Sequence, residues 1–405
     1  MKRIDFRRVF IVAGLAALVL IYSVLWLQML SSPAERTGSD FIVFYTAGRI
    51  AQTDGAVHVY EPELQQDVQQ VEVGFPLVPG QVLLYNHVPY LIPILTALVS
   101  ENYVASFVRW ALLLLVLCAG GVGLLVGLLR RAGWERAGIW VVAAGMLVFF
   151  PFFVSLMNGQ DTAFTFFGLC LWLIGLLTGR DWLAGLGLAL TTIRPHVAVL
   201  LAVPFLFKRQ KVFGWFCVGS LALVLVSLLS VGFDGMRGFL DLLLVSASGG
   251  WYGLKEQVMV NLIGLLWRIA PGLGAEIIHI TGWVVYGLAL VGLCVLWARS
   301  REIDERVIGL AVTVSLFASP HLHYHDLTLL LVPLVAALLV LVRDGYLRLP
   351  NAVLVPLAVS LLLLFGSLIP GVKYNLPYLI MVLIILLLWV PDKILHKSAM
   401  TGRTT

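Results

Sequence analysis

Long apolar runs, separated by short polar and basic segments, recur along the chain from residue 9 to residue 391. Crossing a hydrocarbon layer of about 30 Å takes roughly 20 apolar residues in a helix. Backbone groups in lipid must be hydrogen-bonded within their own segment, and the runs lack the alternation of a β-barrel, so they predict transmembrane helices. The predicted crossings are residues 9–30, 103–129, 137–156, 161–178, 182–193, 195–207, 212–231, 276–298, 306–318, 326–342, 350–369 and 376–391.

Composition supports this interpretation. The chain has 405 residues, of which 60% are hydrophobic and 12% charged, and a soluble chain of this length cannot bury so much apolar surface. We expect an all-α polytopic membrane protein with about twelve crossings. Residues 1–397 would form one transmembrane domain, and residues 398–405 a disordered cytoplasmic tail. The four cysteines lie in apolar runs without CxxC spacing, which favours packing over a disulfide or zinc site.

The basic residues indicate the orientation. If the N-terminus is cytoplasmic, the basic clusters between the spans all fall on the cytoplasmic side as well, together with the C-terminus. The net charge of +5 is therefore interpreted as topological, and nucleic acid is not an expected partner. This orientation requires that residues 82–99 do not cross the membrane but lie along or dip into its outer surface. It also requires that residues 182–207 form a hairpin with its tip near Arg194. Residues 31–102 then form a long first extracytoplasmic segment.

Polar and ionisable residues gather on the predicted outer side. Such groups within a membrane usually face a cavity, which makes them functional candidates. The alternative is that outer loops are wet and contain polar residues in any case. Besides the residues discussed below, the candidates are Tyr45, Arg49, Asn86, His87, Asn158, Gln160, Asp161, His321, His323, His325, Asp326, Lys373 and Tyr374.

Asp40 follows Gly38 and Ser39 and opens an apolar, aromatic run. A carboxylate at this position is a candidate general base, held where a substrate meets the membrane. The alternative is helix N-capping, for which Ser39 and Asp40 are both suited.

Arg194 precedes Pro195 in an apolar stretch, and His196 follows two residues later. A guanidinium at membrane depth needs an anionic partner. One candidate is a lipid phosphate, whose geometry the guanidinium fork matches. The other is a protein carboxylate such as Asp161.

The densest polar cluster runs from His321 to Asp326 and contains three histidines and a carboxylate. It suits hydrogen bonding to a sugar or phosphate, interfacial capping or metal binding. Hydrogen bonding is favoured, because the sequence offers no convincing further set of metal ligands. A divalent metal is a less favoured alternative, and no cofactor is firmly implied.

Four motifs occur in the order of a known family. They are Ser39-Asp40-Phe41 with Tyr45 and Ala47, Asn158-Gly159-Gln160, Thr192-Ile193-Arg194-Pro195, and the cluster from His321 to Asp326. Over roughly residues 9–345 the chain resembles glycosyltransferase family 87. That family belongs to the GT-C membrane glycosyltransferases, which use polyprenyl-phosphate sugar donors and include α-mannosyltransferases of bacterial envelopes. Two departures are that Asn86 and His87 follow Tyr85 where the family often has two prolines, and that Asp161 replaces a neutral residue.

The resemblance implies a GT-C helical bundle with an outer cavity in the bacterial inner membrane. It assigns Asp40 to the acceptor as general base, and Arg194, with His196, to the donor phosphate. Gln160 and the histidine cluster would line the donor and acceptor sites. The expected partners are a polyprenyl-phosphate-linked sugar, mannose first, a glycolipid or glycan acceptor, and membrane lipids. Two other classes stay open, namely a transporter or flippase of lipid-linked sugars and a non-catalytic envelope-assembly protein.

Overall fold

The computed structural model describes residues 6–247 and 256–389, and all regular secondary structure in these ranges is helical. Lys2, Arg3, the basic residues that follow Trp389 and the predicted tail 398–405 lie outside them. The α-helices are α1 (Phe6–Ser31), α2 (Pro33–Thr37), α3 (Phe41–Ile50), α4 (Pro62–Val73), α5 (Ile92–Leu98), α6 (Tyr103–Arg131), α7 (Arg136–Leu147), α8 (Phe150–Asn158), α9 (Thr162–Leu177), α10 (Asp181–Leu190), α11 (Pro195–Ala202), α12 (Gln210–Ala247), α13 (Leu262–Ile269), α14 (Gly274–Arg299), α15 (Glu305–Ala318), α16 (Leu331–Arg343), α17 (Leu349–Ala352), α18 (Val355–Ser367), α19 (Pro370–Lys373) and α20 (Leu376–Trp389).

Seven helical segments of the described ranges are long and apolar enough to cross a membrane, which makes the chain a multi-pass membrane protein. An eighth is present if α7 and α8, which meet at 41°, form one bent span. The seven are Phe6–Ser31, Tyr103–Arg131, Gln210–Leu244, Pro271–Arg299, Tyr324–Arg343, Leu349–Ser367 and Pro370–Trp389. The expected total of about twelve crossings is not confirmed, because α9, α10, α11 and α15 are shorter than a full crossing requires.

Burial separates central helices from peripheral ones. The most apolar window of Tyr324–Arg343 is 83% buried, whereas that of Phe6–Ser31 is 17% buried. Side chains of α1 such as Val12, Leu20 and Leu27 are exposed despite being large and apolar. In a membrane protein, such a surface is the one that contacts lipid.

The segment between α9 and α12 forms the predicted hairpin. At its tip, Arg194 contacts Asp161, which precedes α9. At its base, Arg209 Nε donates to Asp181 Oδ1 at 3.0 Å. Pro195 favours this geometry, because it disfavours helix at the residue before it and starts α11 at the first helical position. The hairpin therefore brings Arg194 to the end of the bundle where α9 begins.

The long segment between α1 and α6 is anchored by two buried glutamines of α4. Gln65 donates to the Val59 carbonyl at 2.8 Å and accepts from the Tyr85 amide at 2.7 Å. Gln69 donates to the Leu83 carbonyl at 2.7 Å. The following apolar helix, Pro89–Leu98, is too short to cross a membrane, in agreement with the prediction for residues 82–99. We call the end of the bundle that holds Asp40, Asp161, Arg194 and Asp326 the polar face.

Candidate functional site

Asp40 lies at the start of α3, but its side chain makes no capping hydrogen bond. Its Oδ2 instead accepts a hydrogen bond from Gln160 Nε2 at 2.6 Å. Ser39 is engaged elsewhere, because its hydroxyl donates to the Arg36 carbonyl. The N-capping alternative is therefore not what the structure shows. Asp40 is partly exposed, whereas Gln160 is buried.

A tight turn positions Gln160. Helix α8 ends at Asn158, and Gly159 follows with φ at 69°, a conformation that favours glycine. A Cβ atom on Gly159 would lie 2.7 Å from the Cβ of Phe41. Trp110 Nε1 donates to the Gly159 carbonyl at 2.7 Å. The Asn-Gly-Gln sequence thus packs directly against the start of α3 and presents the Gln160 amide to Asp40.

Arg194 lies between two buried carboxylates. Its Nε donates to Asp326 Oδ1 at 3.1 Å, and its Nη2 lies 2.9 Å from Asp161 Oδ1. The contact to Asp161 is an ion pair without good hydrogen-bond alignment. Exposure is 8% for Arg194, 0% for Asp161 and 1% for Asp326. Burial raises the pKa of Asp161, but Arg194 and His87 outweigh it and bring the pKa to about 2, so Asp161 is ionised.

This arrangement agrees with the structural alternative for Arg194, whereas its expected role at the donor phosphate stays a prediction. The predicted alternative, a structural pair with Asp161, is present, and Asp326 adds a second carboxylate. One guanidinium between two carboxylates has no uncompensated charge to attract a donor phosphate. His196, expected to assist it, has its carbonyl bound by the Tyr286 hydroxyl at 2.9 Å, and its ring centroid lies 6.4 Å from that of His321.

Asp326 organises the histidine cluster. Its Oδ2 accepts from the His323 backbone amide at 3.0 Å and lies 3.5 Å from His325 Nε2. Its Oδ1 also accepts from the Thr162 hydroxyl at 3.1 Å. The ring centroids of His321 and His323 are 4.6 Å apart. The cluster is thus tied both to Arg194 and to the start of α9.

His323 is an uncharged member of the cluster. Burial, followed by the charge of His325, lowers the pKa of His323 to about 4, so the ring is neutral near pH 7. The charges of Asp326 and Asp40 act on this pKa in the opposite direction. Among the described residues, no three His, Cys, Asp or Glu side chains gather in an arrangement that holds a metal ion.

His87 joins the buried ion network, because its Nδ1 lies 2.7 Å from Asp161 Oδ2. Its neighbour Asn86 is exposed. Tyr45 and Arg49 are not brought to the ion network. The Tyr45 hydroxyl donates to Glu72 Oε1 at 2.8 Å, and Arg49 lies 3.9 Å from Glu101. Both residues therefore connect α3 to later parts of the segment between α1 and α6, and their assignment to a substrate cavity stays a prediction.

A groove of about 400 Å³ lies between the ends of α1 and α8, and its wall includes Ser39, the residue before Asp40. Its polar wall includes Gln28, Glu35, Ser39 and Asn158, and its apolar wall includes Met29 and Met157. The groove thus joins the lipid-facing helix α1 to the residue that precedes Asp40. A molecule with both a polar and an apolar part fits such a wall.

Two contributors to the site were not anticipated from the sequence. Thr162 binds Asp326, and Trp110 fixes the turn at Gly159. A threonine at the start of a helix is usually interpreted as a helix-capping residue. A tryptophan in an apolar run is usually interpreted as a packing residue. Thr162 had one usable signal, since it directly follows Asp161.

The fold and the site define a class, namely a polytopic helical membrane protein with buried ion pairs and an accessible carboxylate at one end of its bundle. The chain matches the sequence profile of glycosyltransferase family 87 over residues 84–320, more than half of its length, and it therefore belongs to this family of membrane glycosyltransferases. No curated protein matches the chain. Asp40 and the whole histidine cluster, from His321 to Asp326, lie outside the matched residues, so their assignment depends on the contacts described above.

Proposed function

We propose that the protein transfers a sugar, mannose in the first instance, from a polyprenyl-phosphate donor to a glycolipid or glycan of a bacterial envelope. The polar face is extracytoplasmic in this proposal, since the basic clusters between the spans then lie in the cytoplasm. Family membership supports the reaction class. A lipid-linked donor suits the site, because it reaches a membrane-embedded cavity by lateral diffusion and needs no nucleotide-binding domain.

One observation carries the proposal, namely the hydrogen bond from Gln160 to Asp40. Three carboxylates meet at the polar face, and Asp161 and Asp326 are both buried and paired with Arg194. Asp40 is partly exposed and is held by a neutral amide through Oδ2. It is therefore the carboxylate of the three that is both accessible and oriented, as a general base must be.

In the proposed reaction, Asp40 accepts the proton of an acceptor hydroxyl. The acceptor oxygen then attacks the anomeric carbon, and the bond between that carbon and the phosphate oxygen breaks. Polyprenyl phosphate leaves, and the single displacement inverts the anomeric configuration. General-base assistance of this kind is typically worth about 10² to 10⁴ in rate.

The groove between the ends of α1 and α8 is the proposed acceptor site. Its polar residues Gln28, Glu35 and Asn158 offer hydrogen bonds to sugar hydroxyls, and its apolar residues belong to helices that lie at membrane depth. An amphipathic glycolipid presents both kinds of surface. Its hydroxyl would approach Asp40 from the side of Ser39.

The buried ion network has a positioning role in this scheme. Asp161 directly follows Gln160 and is fixed by Arg194 and His87. Fixing Asp161 restrains the backbone that presents the Gln160 amide. A rigid orientation of this kind reduces the entropic cost of bringing base and acceptor together.

Transfer by the purified protein in liposomes tests the proposal. The donor is a polyprenyl phosphate carrying radiolabelled mannose, and the acceptor is a total lipid extract from a strain that lacks this protein. We expect label to move into acceptor lipid with release of polyprenyl phosphate. Movement of intact donor across the bilayer without new glycolipid would support a transporter. The absence of both, from a well-folded protein, would support a non-catalytic role.

A further inference from the structure

Two cations lie together at the polar face, away from the buried ion network. Arg268 is on α13 and Lys373 is at the end of α19, and both are half-buried. Both contact the Tyr374 ring, whose centroid is 5.8 Å from the Arg268 guanidinium carbon and 5.1 Å from Lys373 Nζ. We call Arg268, Lys373 and Tyr374 the cationic patch.

The patch keeps its positive charge. Arg268 binds only neutral acceptors, namely Asn375 Oδ1 at 2.9 Å and the carbonyls of Gln257, Met259 and Tyr374. Glu256, on the segment that Arg268 contacts, is occupied by Trp267 and by His279 Nε2 at 2.6 Å. Within the described ranges, neither Arg268 nor Lys373 forms an ion pair with a carboxylate. An anion is therefore the missing counterpart.

An apolar crevice of about 450 Å³ lies below the patch, between α14, α15 and α20. Its wall includes Leu288, Ala289, Phe317 and Val382. Arg268 joins the chain segments that lead into α14 and α20, so the patch caps two of the three crevice helices. The helical rise from Lys373 to Val382 is about 13 Å. A phosphate at the patch and an isoprenoid chain in the crevice fit this separation.

The patch is also linked to the histidine cluster. Arg268 Nη1 donates to the Met259 carbonyl at 2.7 Å, and the amide of the next residue, Val260, donates to the Leu322 carbonyl at 2.9 Å. Leu322 lies between His321 and His323 in the sequence. The segment that Arg268 holds is therefore bound directly to the histidine cluster.

We propose that the cationic patch binds the phosphate of the lipid-linked donor, and that the crevice between α14, α15 and α20 holds its isoprenoid tail. This inference rests on the proposed function and replaces Arg194 as the phosphate ligand. The two sites differ in how their positive charge is balanced. Arg194 is paired with two carboxylates, Asp161 and Asp326, whereas Arg268 and Lys373 contact no carboxylate among the described residues.

Donor kinetics test the patch. Lys373→Gln removes a charge that contacts the Tyr374 ring, and we expect the donor KM to rise about tenfold or more. The value of kcat should stay within about twofold, and the acceptor KM should not change. Arg268→Lys, which keeps the charge, should show a smaller rise. The matched control is Arg237→Gln, at a cation on the same face that is 85% exposed. A donor KM equal in Lys373→Gln and in this control overturns the inference.

Donors with isoprenoid chains of different length test whether the crevice binds the tail. Ala289→Phe narrows it, whereas Val284→Phe adds the same ring to an exposed position of the same helix. We expect Ala289→Phe to raise the KM of a full-length polyprenyl donor, and to leave that of a ten-carbon isoprenoid donor unchanged. Equal effects on both donors would overturn the tail assignment.

Two further outcomes distinguish failure of this inference from failure of the proposed function. If the wild-type protein transfers no sugar at all, the proposed function fails. If it transfers sugar, but added phosphatidylglycerol raises the donor KM of the wild-type protein and not of Lys373→Gln, the patch is a general site for anionic lipid. That result would overturn the inference alone.

Discussion

Gln160 Nε2 donates a hydrogen bond to Asp40 Oδ2 across 2.6 Å, and the next residue, Asp161, lies 2.9 Å from Arg194. Two consecutive residues thus connect the accessible carboxylate of the segment between α1 and α6 to the buried ion pairs of the hairpin. In the proposed reaction, the buried network orients Gln160, and Asp40 acts as the base. This division of roles leads to the following predictions.

Replacing the amide donor changes both the rate and the pH profile. In Gln160→Glu a second carboxylate faces Asp40, and like charges raise the pKa of a carboxyl group. We expect transfer at pH 7 to fall by about 10², and the rising limb of the pH profile to move to higher pH. Gln210→Glu, at the start of α12 on the opposite face, is the control. An unchanged profile in Gln160→Glu would show that the amide does not act on the base.

Removing the guanidinium of Arg194 should damage the fold. Arg194→Met leaves Asp161 and Asp326 buried without a counter-charge, which costs about 3–5 kcal/mol. The expected result is a lower unfolding midpoint and a lower yield of monodisperse protein in detergent. Adding Asp161→Asn and Asp326→Asn to the same chain should restore much of the lost stability. A stable Arg194→Met protein with weakened donor binding would instead return the phosphate role to Arg194.

Stability should fall in mild acid because of His323. The pKa of His323 is lowered from 6.5 to about 4 in the folded protein, so its contribution is complete above pH 6.5 and is lost as the pH falls toward 4. The contribution is about 3 kcal/mol at most, and the ionisable groups around His323 are His321, His325, Asp326, Arg194 and Asp40. Unfolding midpoints between pH 7 and pH 5 should therefore decline less in His323→Asn than in the wild-type protein.

The control for this measurement is His58→Asn, since the side chain of His58 is 45% exposed. Between pH 7 and pH 5, the unfolding midpoint of His58→Asn should decline as much as that of the wild-type protein. Identical slopes in all three proteins would show that protonation of His323 is not coupled to folding.

Much of the architecture could be predicted from the sequence, because length and apolarity directly constrain a membrane helix. The order of spans and basic clusters predicted the hairpin at Arg194. It also predicted that Asp40, Gln160 and Asp161 lie at one face. The crossing number could not be obtained in the same way. Short apolar helices such as α9 satisfy a hydropathy pattern without the length of a full span.

Asp161 was a predicted candidate partner of Arg194, but the other partners of the charged residues could not be predicted, because they depend on how helices distant in sequence pack together. Arg194 suits a phosphate and a carboxylate equally well on chemical grounds, and its contact with Asp326 joins residues 132 positions apart. Asp161 appeared as a departure from the family pattern and proved to be a partner of Arg194. Arg268 was not singled out, since its contacts with Tyr374 and Asn375 arise only when the ends of two helices meet.

The most direct test of the account is the rate of sugar transfer by Asp40→Asn in the liposome assay. The substitution removes the basic carboxylate but keeps a similar shape and an oxygen that accepts from Gln160. We predict a loss of about 10² to 10⁴ in kcat, with an unchanged donor KM and an unchanged unfolding midpoint. A kcat near that of the wild-type protein would contradict the assignment of Asp40 as the base.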